Sequence, residues 1–289
     1  MGHARKTVSE STMKLSLSTF VYFRYPLIEA IQRTARFGYD GVELWGGRPH
    51  AYADDMDTAR IKDVKRAIDD CGIAVSNFIP AQFRYPSNLA APDEGIRRGS
   101  VDYIKRSIDA AEGVGAPYVS LCPGFSLYGQ SHTEAWGAMM KSFTELLDHA
   151  RSMACTLILE PANRYESDLV VTVEDGLRAI DELDWEMGIL IDTGHLFVNK
   201  EPLSDVVEKT KDLICHYHID DNNGVTDDHM VPGDGKMYYD IFLDDLKDSG
   251  YDGYLAVELG FQYTVDPDPA VRRSIEYLKA RACDGRGER

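Results

Sequence analysis

The 289-residue chain predicts a single (β/α)8 barrel, an α/β fold, and three observations carry that expectation. From Met13 onward, short apolar runs alternate with longer amphipathic segments, which is the pattern of parallel βαβ units. Eight such units follow one another within about 250 residues, the count and size of a (β/α)8 barrel. No G-x-G-x-x-G follows any predicted strand, so the competing doubly wound open sheet lacks its usual phosphate turn. No linker-like stretch divides the chain. The expected organisation is a disordered leader over 1–12, one barrel over 13–282 and a frayed tail over 283–289.

The elements follow from apolar spacing and punctuation. Residues 14–18 read as a strand and 26–37 as a helix with Ile28, Ile31 and Ala35 on one face, closed by Gly38. The next strand, 41–44, contains Glu43 and leads into Trp45-Gly46-Gly47. A helix over 58–70 carries Ile61, Val64 and Ile68 at three- and four-residue spacing. Strand 74–78, helix 92–112, strand 118–122 and helix 134–153 continue the alternation. Strand 156–160 ends in Glu160, and Pro161 stops it because it has no N–H to give a ladder. The second half repeats the scheme: helix 173–183, strand 188–192, helix 203–211, strand 213–219, helix 239–249, strand 254–259 and helix 269–280. A long polar loop spans 220–236.

Composition narrows the function classes. A net charge of −17 opposes binding to nucleic acid, which requires clustered Lys and Arg to displace phosphate counterions. The five cysteines, Cys71, Cys122, Cys155, Cys215 and Cys283, are odd in number and contain no C-x-x-C pair. That usage fits free thiols in a reducing compartment. The first residues lack an apolar signal core, and no apolar run approaches the ~20 residues of a membrane helix. The expected setting is cytoplasmic, with neither a membrane nor a nucleic-acid partner.

In a barrel, the C-terminal strand ends converge on one mouth, where the active site lies. Glu160, Asp192, His218 and Glu258 fall at or near the ends of strands five to eight. A single such residue ordinarily serves as a salt-bridge or capping partner. Three acids in one mouth would repel one another, so a cation is the economical explanation for all four together. The oxygen-rich set with one imidazole suits Mn²⁺, Mg²⁺ or Co²⁺, and suits Zn²⁺ less because no thiolate takes part. His216 lies on the same strand face as His218 and reads as a barrel-interior histidine or a partner behind the ligands. His195 is expected in a loop, where it can bind a substrate hydroxyl. Asp227-x-His229 reads first as part of an acidic surface loop, with metal or substrate contacts as the alternative. Trp45, with Arg48 and His50, can wall a sugar; an aromatic beside Gly-Gly also packs against neighbouring loops.

These residues resemble the xylose isomerase-like barrel superfamily of sugar isomerases, ketose 3-epimerases, inosose-processing enzymes and apurinic endonucleases, from about Lys14 to Ala280. The stretch LEPANRYE is similar to that of the D-tagatose/D-psicose 3-epimerases. The resemblance implies that Glu160 is a metal ligand and Glu166 a substrate contact. IDTGH likewise implies a metal-binding Asp192 and a substrate-binding His195, with His218 and Glu258 as the remaining ligands. ELWGGRPHAYA at 43–53 and DDHMVPGDGKM at 227–237 are similar to loops of fructoselysine 3-epimerases. Trp45, His229 and Arg164, the last in the polar loop after strand five, complete the expected substrate contacts. One departure is plain: ketose 3-epimerases carry a substrate-binding Arg six residues beyond the ligand His, where this chain has Gly224.

The chemistry the resemblance implies is a metal-dependent sugar 3-epimerase, acting on a ketose or fructosamine through a metal-stabilised cis-enediolate. Glu160 and Glu258 are its two acid/bases, Mn²⁺ is the ion expected first, with Co²⁺, Mg²⁺ or Zn²⁺ as alternatives, and the assembly is a homodimer or homotetramer. The same scaffold serves 1,2-aldose–ketose or hydroxypyruvate-type isomerases and keto-sugar or inosose lyases. An apurinic endonuclease is opposed by the −17 charge. No concentrated basic cluster marks a phosphate site, which favours an unphosphorylated sugar or conjugate.

Overall fold

The computed structural model describes residues 13–82 and 86–283. The expected leader, 1–12, and all of the expected tail except Cys283 lie outside the described residues. Eight parallel strands close into a barrel in sequence order: β1 (Lys14–Ser18), β2 (Gly41–Gly46), β3 (Ala74–Pro80), β4 (Tyr118–Leu121), β5 (Thr156–Leu159), β6 (Gly188–Asp192), β7 (Ile214–Ile219) and β8 (Tyr254–Val257). Closure is made where β1 meets β8, with Lys14 beside Tyr254 and Leu17 beside Val257. The helices are α1 (Leu27–Arg36), α2 (Thr58–Cys71), α3 (Glu94–Val114), α4 (His132–Ala150), α5 (Val173–Asp181), α6 (Thr193–Asn199), α7 (Val206–Thr210), α8 (Asp240–Ser249) and α9 (Asp268–Leu278).

Strand alternation sorts the chain into two environments. Leu15, Leu17, Val42, Leu44, Tyr217 and Ile219 are buried in the apolar core. Tyr217 stacks edge-on against Phe242 of α8 at 5.5 Å, so this set faces the helices. The alternate positions, Glu43, Asn77, Ser120, His216 and His218, meet one another inside the barrel. A register shift between Val42 and Glu43 sets Glu43 opposite Asn77. The main apolar layer thus lies outside the sheet, and polar side chains from β2, β3, β4 and β7 meet inside the barrel below the mouth.

Helix ends follow local chemistry. Asp57 accepts from the Arg60 N–H and Asp93 from the Ile96 N–H, which starts α3 at Glu94, two residues beyond Pro92. Ser131 with Glu134 and Thr172 with Asp175 form reciprocal capping boxes. The expected helix 203–211 is instead a 3₁₀ turn, Leu203–Asp205, followed by the short α7. The larger departure is α6, which begins directly after β6. Its sequence, TGHLFVN, is poor in strong helix formers, and Gly194 in particular argues against a helix. Its start is secured by the Asp192 side chain, which accepts the His195 N–H at 2.9 Å. Among the described residues no helix is long and apolar enough to cross a membrane.

His50 ties the turn after β2 to the β1 side of the barrel. Its Nε2 lies 3.1 Å from the Tyr22 carbonyl and 3.0 Å from that of Tyr25, while the buried Nδ1 has no partner. The ring is therefore neutral with its proton on Nε2, and burial pushes its pKa down to about 4. The unfolded chain takes up this proton first, near pH 6.5, so the stabilisation is complete above that pH and is lost as pH falls towards 4. The shift corresponds to at most about 3 kcal/mol. His50→Gln should lose less stability than the wild type between pH 6.5 and 4 in urea unfolding; parallel losses would show that His50 does not titrate in this window.

Candidate active site

The four acid and histidine residues expected at the mouth come together around one atom. His218 Nδ1 lies 3.4 Å from Glu160 Oε1, 3.4 Å from Asp192 Oδ2 and 3.1 Å from Glu258 Oε2. Glu160 follows directly on β5 and Glu258 on β8, so neither needs a loop to place it. Glu160, Asp192 and His218 are buried, and Glu258 is largely covered. Neither His218 Nδ1 nor Asp192 Oδ2 has a hydrogen-bond partner. The opposite ring nitrogen, Nε2, is 3.0 Å from Glu43 Oε2. Burial by itself would lower the His218 pKa, but Glu43 and Glu258 outweigh it and hold the ring well above its usual range. The centre demands positive charge. Three carboxylate oxygens and one imidazole nitrogen are a donor set that fits a divalent ion.

A second cluster adjoins the first. His195, on α6, places Nδ1 3.2 Å from the Pro161 carbonyl and Nε2 3.1 Å from Asp227 Oδ2. Both nitrogens thus face acceptors, and although burial opposes it, Asp192 and Asp227 hold the ring well above its usual pKa. Glu166 Oε2 is 3.8 Å from the same Nε2, and burial raises its carboxyl pKa. Asp227 Oδ2 also meets His229 Nε2 at 3.0 Å and accepts from Asn163 Nδ2 at 3.1 Å. His229 Nδ1 in turn lies 2.5 Å from Asp220 Oδ2 and 4.0 Å from Glu258 Oε2. Ligand atoms of His195, Asp227 and His229 all lie within 4.8 Å of one another.

The loop 220–236 is therefore not an acidic surface loop over its whole length. Paired backbone bonds between Asp221 and Met230 pinch it, and Asp220, Asp221 and Asn222 are buried at its base. Its tip folds Asp227 and His229 over the mouth, with His229 at φ 42°. Gly224 has a left-handed backbone, φ 78°, and its carbonyl accepts from the Lys200 ammonium.

Trp45 ends β2 beside an aromatic group on the mouth rim: Phe20 at 5.1 Å, Phe23 at 6.5 Å, and Phe261 packed on Phe20 at 4.8 Å. Arg164 is exposed; its guanidinium stacks on Tyr165 and donates to the Tyr165 hydroxyl. Arg48 pairs with Asp55, and His50 is taken up by the two carbonyls described above. His216 is barrel-interior, with Nε2 2.7 Å from Glu43 Oε2. Sequence reasoning missed Glu43 and Asp220 as parts of the site. For Glu43 the available signal was a charged residue inside a strand, between Val42 and Leu44; Asp220, just past β7 and followed by Asp221 and Asn222, offered none. Cys122 was read only as a free thiol; its Sγ stands 4.0 Å from Glu160 Oε2, and burial pushes the thiol pKa well up.

The xylose isomerase-like TIM-barrel family model matches residues 31–281. The chain is 34% identical over 269 residues to fructoselysine 3-epimerase of Shigella flexneri, covering 93% of this chain and 98% of that protein. Its fold agrees with that of 3-keto-D-glucoside 4-epimerase from E. coli, with a TM-score of 0.79 at 22% identity, over 93% of this chain and 99% of the other. It also agrees with that of the IOLI protein, whose structure contains a zinc atom, with a TM-score of 0.80 at 19% identity, over 93% and 98% of the two chains.

The Asp192 carboxylate is divided between two tasks: Oδ1 caps α6 and Oδ2 faces His218. Gly194, in the first turn of α6, keeps this helix close to Asp220, since a Cβ there would stand 2.2 Å from Asp220 Oδ1. Gly194→Ala should destabilise the protein by about 1–3 kcal/mol through overpacking against a buried carboxylate. An unchanged thermal midpoint would show that Asp220 has room to move.

Proposed function

The chain belongs to the xylose isomerase-like TIM-barrel family, and on that premise we propose that it is a divalent-metal-dependent sugar 3-epimerase acting on a ketose or fructosamine-type substrate. Its relatives are sugar epimerases and isomerases, which supports an isomerase. The observation that carries the reading is the convergence of three carboxylate oxygens on the unpartnered Nδ1 of His218.

Glu160, Asp192, His218 and Glu258 would hold the ion, with Mn²⁺ as the first choice and Co²⁺ and Mg²⁺ meeting the same donor chemistry. When bound, the ion supplies Lewis acidity toward the carbonyl and its neighbouring hydroxyl. The chain's own residues move the proton. A carbon-bound proton beside a carbonyl is weakly acidic and needs a positioned base. Glu160 and Glu258 reach the centre from β5 and β8, three strands apart in the closed barrel. One takes the C3 proton to leave an enediolate, and the other returns a proton to the opposite face, which inverts C3. Glu166 and His195 bind substrate oxygens, and His195 is held for this by the Pro161 carbonyl and Asp227. Trp45 contributes an apolar wall, and His229 closes the mouth from the loop. Arg164 reaches substrate only by leaving its stack on Tyr165.

Proton NMR in D₂O of the Mn²⁺-loaded protein, with ketoses, fructosamines and 3-keto-glycosides, tests the reading. Deuterium should enter C3 together with formation of the inverted product. Exchange at C1 or C2 would make the protein an isomerase, and an eliminated product would make it a lyase. Glu160→Gln and Glu258→Gln should each lower kcat by about 10²–10⁴-fold with the fold intact. Wild-type turnover in Glu258→Gln would end the two-base scheme. Chelation should abolish activity and added Mn²⁺ restore it; full activity after verified removal of metal would overturn metal dependence.

A further inference from the structure

We propose that Glu43, fully buried in β2, is the positioning residue of this centre: its carboxylate turns the His218 ring so that Nδ1, and not Nε2, is the metal-binding nitrogen. The proposal rests on the metal-dependent reading above. A buried carboxylate costs several kcal/mol unless it is paired, and this one is paired through a single oxygen. Glu43 Oε2 lies 3.0 Å from His218 Nε2, 2.7 Å from His216 Nε2 and 3.0 Å from Asn77 Nδ2. All three are donors toward that atom. With the Nε2 proton committed to Glu43, the nitrogen left to give up its proton to an ion is Nδ1, which Glu160, Asp192 and Glu258 surround.

The contact spans the barrel interior, from β2 to β7, and strand geometry maintains it. The register shift at Val42/Glu43 sets Glu43 beside Asn77, and the His216 ring stands edge-on to that of His218 at 5.6 Å. His216 and Asn77 thus hold Glu43, and Glu43 holds His218. Glu43, His216 and His218 also form a group of metal-binding residue types. The separations of 2.7 and 3.0 Å between Oε2 and the two Nε2 atoms are those of hydrogen bonds.

Two measurements decide the matter. In the Zn²⁺-loaded wild type, long-range ¹H–¹⁵N correlations should show His218 protonated at Nε2 with the ion on Nδ1; the reverse pattern overturns the proposal. This experiment needs no variant. Second, Glu43→Gln should weaken Mn²⁺ binding about 10–100-fold by calorimetric titration. Asn77→Ala, which removes one of the three donors to the same oxygen, should weaken binding less than Glu43→Gln does, since His216 still holds Glu43. A purely structural Glu43 would lower the unfolding temperature of the metal-free protein while leaving Mn²⁺ affinity and the tautomer unchanged, and that result overturns the inference alone. A wild type that binds no Mn²⁺ overturns both the inference and the metal-dependent reading.

Discussion

The mouth of this barrel is organised by the convergence of three carboxylates on one imidazole. Three carboxylates press on one imidazole nitrogen in a recess from which water is mostly excluded. Carboxylates a few ångströms apart repel one another in a low-dielectric setting, and a cation among them relieves that repulsion. The surrounding structure follows from this constraint. The strands must end where they do so that Glu160 and Glu258 arrive without a flexible lead. The ring of His218 must be held from behind, and the polar loop 220–236 must fold inward and supply partners for His195 and Asp220.

The inversion of layers in the sheet serves the same end. Apolar positions face the helices, where shape packing supplies the stability, and polar positions face the axis. An interior lined by Glu43, Asn77, Ser120 and His216 forms a hydrogen-bonded scaffold under the mouth. A fully apolar interior would pack well, but would give the ligand side chains nothing to bond to. The arrangement separates the tasks: the outside of the sheet holds the fold and the inside aims the site.

Much of this was legible in the sequence, and the omissions have physical causes. Apolar spacing located the strands because a strand covered by helices must be apolar on that face, and Glu160, Asp192, His218 and Glu258 were visible as polar residues at strand ends. The short α6 was not visible, since Gly194 and β-branched residues argue against helix and the stabilising group, Asp192, belongs to the preceding strand. Glu43 escaped because its histidine partners lie more than 170 residues away, and no local pattern reports a contact across a barrel. The tip of loop 220–236 was half legible: Asp227-x-His229 stood as an alternative to a surface loop, because polarity alone does not distinguish a solvated loop from one folded over a charged site. Trp45 was seen singly, while its partners come from the ends of β1 and β8.

The divided carboxylate of Asp192 has a consequence for how such a site can change. One side chain both begins the helix that carries His195 and faces the centre, so pocket and centre behave as a single mechanical part. On the proposed metal-dependent reading, a substitution that tilts α6 to admit a different sugar also displaces an oxygen that would hold the ion, which ties selectivity to ion affinity on that side of the mouth. The aromatic rim of Phe20, Phe23, Trp45 and Phe261 is held instead by ring-to-ring packing. Remodelling the rim is therefore the freer route to a new substrate.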